Sequence, residues 1–238
     1  MIIKQNELNK KNINKIIFIV QARVNSERVP NKMIRAIGNT CLFEILLKKI
    51  KKTIIPLNQF YASVYDKELK DICKKNDIQI FHRSLGSRNT DNNLSLMYEW
   101  WNKFPQYEFA ILLNPCLLFL SVNTINKFIK EYCSNNFPGL FGVVYKKQYY
   151  WDKNGDLITP WPKNTTIMNT KIVSETYEAA HALYAGKLSE IGKDRWMGDF
   201  TKNNPKLFMM EERECLDIDY EWQFDLYSKY YLLNQQHI

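Results

Sequence analysis

Apolar positions along this chain fall into short unbroken runs separated by amphipathic stretches. Ile16-Ile17-Phe18-Ile19-Val20 is such a run, with four β-branched members, the pattern of a strand buried on both faces. A polar loop occupies 21–32. The segment 41–52 then carries Leu42, Ile45, Leu46 and Ile50 at helical spacing. The alternation repeats, with a strand over 60–64, a helix over 66–76 opened by Asp66 as its N-cap, and a strand over 78–81. A helix over 92–104, a strand over 109–113, a helix over 122–132 and a strand over 140–144 follow. Two further strands are expected at 182–185 and 207–210, and a closing helix at 220–233.

Strands alternating with helices predict an α/β fold, with a mostly parallel sheet covered by helices on both faces. The alternation breaks near Lys146. Tyr149, Tyr150, Trp151 and Trp161 then lie among Pro, Gly, Asn and Thr, so 146–180 reads as an insertion, a lid or an oligomer arm. The expectation is one domain over 1–238.

Composition narrows the partners. At 45% hydrophobic residues the chain is not a disordered one. No apolar run approaches the ~18 residues of a membrane span. The stretch 1–14 is polar, so neither membrane insertion nor secretion is expected. Five scattered cysteines, none in a CxxC spacing, argue against a disulfide framework or a zinc site and for a cytoplasmic location. A net charge of +8 favours anionic partners. No nucleic-acid-binding module is recognisable, which leaves nucleic acid a distant alternative.

Ligands of open parallel sheets sit beyond the carboxyl ends of the strands, so the loop after the first strand is the first place for chemistry. Arg23, Arg28 and Lys32 gather cations there and Ser26 adds a hydroxyl. Arginine grips two phosphate oxygens at once and lysine acts as a point charge. The alternative is an exposed basic turn.

The string "IIFIVQARVNSERVPNKMI", followed by "IGNTCLFEILLKKI", resembles the first motif of the sugar-acid cytidylyltransferases. These comprise the CMP-sialic acid synthetases, their pseudaminic and legionaminic acid relatives, and the 3-deoxy-manno-octulosonate cytidylyltransferases. The "QAR" wording also resembles the spore-coat polysaccharide cytidylyltransferase-like group. Ala22, Arg23, Ser26, Arg28, Pro30 and Lys32 fill the motif, with Gly38 at its turn. "HRSLGSRNTDN" supplies Arg83 and Asp91, "ILLNPCLLFLS" supplies Asn114 and Pro115, and "YEAAHALYAGK" supplies His181 and Tyr184. "ECLDIDYEWQFDLYSKYY" supplies Asp217, Asp219 and Phe224. The landmarks run in order from Ile16 to Tyr231. Departures are Val24 and Asn25 for glycines, Met33 for Asn, Val64 and Tyr65 for Thr-Asp, Cys116, Leu117, Leu118 and Leu120 for polar residues, and Gln223 for an acid.

The resemblance implies a Rossmann-like nucleotidyltransferase fold and transfer of CMP from CTP to a sugar acid or related acceptor, releasing pyrophosphate for surface glycan or polysaccharide synthesis. Ala22, Arg23, Ser26, Arg28, Lys32, Asp91 and Asn114 would bind the nucleotide, with Lys32 and Arg23 catalytic. Arg83, His181 and Tyr184 would approach the acceptor, and Asp217 and Asp219 would hold Mg²⁺ from one face of a strand. A homodimer is also implied. Plainer roles compete: Asp91 and Asp219 as helix N-caps, Asp217 as a surface residue, Asn114 as a strand end and His181 as a core residue. Two other readings are a relative that binds nucleotide without turnover and an enzyme acting on a sugar phosphate or another phosphorylated alcohol.

Overall fold

The computed structural model describes residues 11–196 and 198–234. Most of the polar N-terminal stretch therefore lies outside the described residues. β1 (Ile16–Ala22) is followed by a two-stranded hairpin of β2 (Ala36–Ile37) and β3 (Thr40–Cys41), then by α1 (Leu42–Ile50). β4 (Phe60–Val64), α2 (Lys67–Lys75) and β5 (Gln79–His82) complete the first half of the sheet. Two short helices, α3 (Leu85–Asn89) and α4 (Leu94–Met97), precede β6 (Phe109–Leu113), α5 (Val122–Ser134) and β7 (Leu140–Lys146). The remainder is β8 (Thr176–Lys187), α6 (Leu188–Ile191), β9 (Lys206–Met210) and α7 (Glu221–Leu233).

The seven-stranded sheet has the order β5-β4-β1-β6-β8-β7-β9, and only β8 runs against its neighbours. Two-residue periodicity splits β1 between two cores. Ile16, Phe18 and Val20 pack on one face with residues of α1, α2, α5 and α7, while Ile17 and Ile19 pack on the other with Trp100 and Leu188. The mixed, mostly parallel sheet with helices is the predicted class. Residues 147–175 contain no named helix or strand. They expose Trp151, Ile158, Ile167 and Met168.

Three local expectations are corrected. The helix expected over 92–104 is split into α4 and a 3₁₀ turn, Glu99–Asn102. The Met97 carbonyl accepts from Gln21 Nε2 and Ser87 Oγ, at 3.2 and 2.8 Å. Tertiary donors thus meet the chain where it breaks. Asp66 holds the N-cap position of α2 as expected, but its side chain makes no cap hydrogen bond. Asp217 and Asp219 are not in a strand: Asp217 makes a single bridge to Leu117, and α7 starts beyond Tyr220 rather than Asp219.

The hydrophobic replacements after β6 serve the core. Leu117, Leu118 and Leu120 are all buried. Lys49 Nζ donates to the carbonyls of Leu118 at 2.6 Å and Leu120 at 2.9 Å. Burial lowers the Lys49 amine from 10.5 to about 8, partly opposed by Glu214. The unfolded chain therefore binds more protons between these values, and the contribution of Lys49 grows as pH rises across that window and is lost as pH falls through 8. The melting-temperature difference between the natural chain and Lys49→Met is expected to shift in favour of the natural chain from about pH 7 to about pH 9.5. A difference independent of pH removes this account.

Candidate active site

The loop after β1 is built by its neighbours. Gln21 Oε1 accepts from Ser63 Oγ at 3.1 Å and from Trp100 Nε1 at 3.0 Å, fixing the end of the strand. Val24 donates its amide to Asp66 Oδ2 at 2.9 Å. Arg23 Nη1 reaches Asp91 Oδ1 at 3.1 Å and the Arg88 carbonyl at 3.4 Å. Asp91 is thus an ion-pair partner, while Asn93 caps α4.

The loop meets the far end of the chain. Arg28 Nη2 lies 2.7 Å from Asp219 Oδ1, and Lys32 Nζ lies 3.5 Å from the same oxygen. Lys32 also donates to the Ile218 carbonyl at 2.5 Å. Gln223 Oε1 accepts from the amides of Asp219 and Tyr220, at 2.7 and 2.9 Å. The amide in place of an acid therefore orders the backbone that carries the acidic pair. Burial raises the Asp217 carboxyl above the usual carboxylate range, and repulsion from Asp219 adds to this while Lys32 opposes it.

A cavity of about 860 Å³ joins these groups. Arg23, Arg28, Arg83, Asp91, Asp217 and Asp219 all line it, as do Ala22, Asn114, His181 and Tyr184. An adjoining hollow of about 320 Å³ contains Ser26, Lys32 and Cys116 together with Arg23 and Arg28. Each sequence-derived site residue thus lines one or both hollows. Arg83 is buried and donates to Ser87 Oγ at 2.8 Å and the Ser87 carbonyl at 2.6 Å. Burial brings its guanidinium down to about 10.

β8 is irregular beside the cavity. Its pairing with β7 changes register between Phe141 and Val143, and His181 takes φ 48°. Such bulges re-aim side chains beside binding sites. The ring Nδ1 of His181 is 2.8 Å from Tyr184 Oη, and Asn114 Nδ2 donates to the His181 carbonyl. Asn114 Oδ1 accepts from the Cys116 amide at 2.9 Å. Asn114 therefore terminates its strand and secures the bulge. The Cys116 thiol is pushed up to about 12 by burial and by Asp217.

Residues 17–184 match the sequence profile of a family described as cytidylyltransferase, well over half of the chain. The chain belongs to the cytidylyltransferase family. It is 26% identical over 126 residues to the uncharacterized protein MJ1063 of Methanocaldococcus jannaschii, covering 52% of this chain and 49% of that one. It is 32% identical over 79 residues to the spore coat polysaccharide biosynthesis protein SpsF of Bacillus subtilis, covering 30% of this chain and 33% of that one. The chain thus spans about half, or less, of the length of these curated relatives.

Solved structures share the fold. CMP:2-keto-3-deoxy-manno-octonic acid synthetase complexed with CTP superposes with a TM-score of 0.66 at 10% identity, covering 93% of this chain and 99% of that one. A cytidylyltransferase from Leptospira borgpetersenii gives 0.60 at 15% identity, covering 92% and 87%. The nucleotidyltransferase fold is therefore common to all three.

In this cytidylyltransferase, the Asp217 Oδ1 is buried without a hydrogen-bond partner. That orphaned oxygen and the nearby Asp219 suit a hard divalent cation completed by phosphate and water oxygens. Among the described residues no group of three His, Cys, Asp or Glu gathers to hold an ion by itself. No helix among them is long and apolar enough to cross a membrane. The sequence reading missed Asp66, Arg88 and an aromatic wall. Tyr98, Trp196, Tyr184, Phe141 and Phe200 form a chain of rings 4.7–5.9 Å apart along the larger cavity. Trp196 and Phe200 carry no periodic signal. The role of Asp66 follows from the β1–β4 register, which pairs Ala22 with Val64 and so sets residue 24 beside residue 66 only once the sheet has formed.

Proposed function

We propose that this chain is a Mg²⁺-dependent enzyme that transfers CMP from CTP to a hydroxyl of a sugar acid or related acceptor, with a role in surface glycan or polysaccharide synthesis. The observation that carries the reading is the contact of the basic loop with the acidic pair, Arg28 to Asp219 at 2.7 Å, inside one cavity. A metal–triphosphate has the same alternation of charge and matches both partners: phosphates to Arg23, Arg28, Ser26 and Lys32, cation to Asp217 and Asp219. The solved relative complexed with CTP has this fold, which supports CTP as the nucleotide.

In the reaction the acceptor hydroxyl gives its proton to solvent as its oxygen bonds to the α-phosphorus, the bond from that phosphorus to the bridging oxygen breaks, and pyrophosphate leaves. Such transfers depend on positioning and charge neutralisation. Lys32, pre-oriented by the Ile218 carbonyl, would meet the charge on the transferring group. Arg23 and Arg28 would hold the outer phosphates. Bound Mg²⁺ would supply Lewis-acid stabilisation of the phosphate oxygens. His181, Tyr184 and Arg83 would face the acceptor, and the exposed apolar groups of 147–175 would join two copies into a dimer.

The exchanged residues after β6 favour an active enzyme over a relative without turnover. Leu117, Leu118 and Leu120 pack in the core rather than lining the cavity, and of the four only Cys116 lines the smaller hollow. The test is incubation with CTP, ATP, GTP or UTP, Mg²⁺ and a panel of sugar acids, sugar phosphates and polyol phosphates. Product mass and pyrophosphate are read, and a CMP-linked product with CTP alone is expected. Pyrophosphate release only with another nucleotide, or with none, overturns the reading.

A further inference from the structure

We propose that Asp66 and Arg88 are positioning residues that hold the first loop in the shape needed to receive a triphosphate; the inference rests on the nucleotide reading above. Asp66 stands where a helix N-cap is expected, yet its carboxylate turns away from α2. Oδ2 accepts the Val24 amide at 2.9 Å, and Oδ1 accepts from Arg88 Nε at 3.1 Å. The two side chains are only 10% and 14% exposed. Side-chain hydrogen bonding thereby extends the β1–β4 pairing two residues past its last backbone pair, Ala22 with Val64.

Arg88 completes the clamp from the other side. Its guanidinium lies 5.8 Å from the Tyr65 ring centre, and its carbonyl accepts from Arg23 Nη1 at 3.4 Å. Adjacent loop residues are therefore held through different atoms: Val24 by its backbone through Asp66, Arg23 by its side chain through Arg88. Val24 is buried, so its amide cannot exchange Asp66 for bulk water without opening the loop. A carboxylate that leaves a helix end uncapped to bond an enclosed loop amide favours loop geometry over helix stability. The loop's cations, Arg23 and Arg28, sit on either side of this anchor, and a displacement of about 1 Å weakens such a constellation by up to about 10²-fold.

The test compares the full natural chain with Asp66→Ala and Asp66→Asn. CTP with Mg²⁺ and the phosphate-free probe cytidine are titrated by calorimetry, and amide exchange is followed by NMR. Asp66→Ala is expected to weaken CTP about 30-fold, and Asp66→Asn, which keeps an acceptor oxygen for Val24, about fivefold, with cytidine within about twofold in both. The Val24 amide should exchange at least about tenfold faster in Asp66→Ala, while amides of the first turn of α2 stay unchanged. Equal weakening of CTP and cytidine, or faster exchange confined to α2, assigns Asp66 a structural or capping role and overturns the proposal. Natural-level CTP affinity in Asp66→Ala removes the positioning role alone. A natural chain that binds no CTP removes the nucleotide reading and this inference with it.

Discussion

Lys32→Gln is expected to lower the rate of CMP transfer by about 10²–10³-fold, the usual cost of deleting one preorganised charge stabiliser. Lys32 is only 9% exposed, and its ammonium is fixed by the Ile218 carbonyl at 2.5 Å and by Asp219 at 3.5 Å. A charge held in place by the protein needs no reorganisation as phosphate charge shifts during transfer. Glutamine carries an N–H donor but has neither the charge nor the reach. Lys32→Arg should fail as well, because a planar fork does not fit the space of a compact ammonium. Steady-state rates, with CTP binding measured separately, check this. A kcat within about threefold of the natural chain would remove Lys32 from the chemistry.

The second large effect is at the acidic pair. Asp217→Asn is expected to lower turnover by about 10³-fold and to abolish stabilisation by added Mg²⁺, because the amide is a poor ligand for a hard cation. Its effect on the unliganded fold has the opposite sign. Burial, and secondarily Asp219, raise the Asp217 carboxyl above its unfolded value despite Lys32. A group shifted in this direction favours the fold fully below the unfolded value and loses that contribution as pH rises through the folded one. Above the unfolded value Asp217 therefore costs the fold stability, and asparagine relieves that cost without changing shape. A melting temperature equal to or above that of the natural chain, without Mg²⁺ and alongside lost activity, is the expected pair of results. Asp219→Asn instead breaks contacts to Arg28 and Lys32 and should melt earlier. An inactive Asp217→Asn that also melts several degrees lower would make Asp217 a structural residue.

What the sequence displayed depended on the range of the forces involved. β1, β4 and β6 are enclosed by neighbouring strands and helices, so nearly every position must be apolar and the runs stand out. The start of α5 at Val122 was legible in its amphipathic spacing, and Ser121, whose side chain accepts from the Thr124 amide, caps it. The helix over 92–104 was misread because the break comes at Met97, whose carbonyl is claimed by Gln21 and Ser87. Both donors are remote in the helix pattern. Asp66 does hold the N-cap position that the local rule gives it, but its carboxylate is taken by the Val24 amide and Arg88 instead of the helix amides.

The loop was found through its place after the first buried strand, and the acidic pair and Asn114 through their ordered motif rather than through periodicity. The aromatic wall was not, since Trp196 and Phe200 belong to an irregular segment and meet Tyr98, Tyr184 and Phe141 only after folding. The turn of β8 at His181 was equally hidden. A left-handed residue within a strand is a feature of the paired sheet and leaves no mark in hydrophobic spacing.

Cys116 lines the smaller hollow near the acidic pair, and its thiol is pushed towards the neutral form by burial and by Asp217. Only a thiolate is a good nucleophile. Sulfur at this position thus fills space beside the acidic pair without adding charge to it.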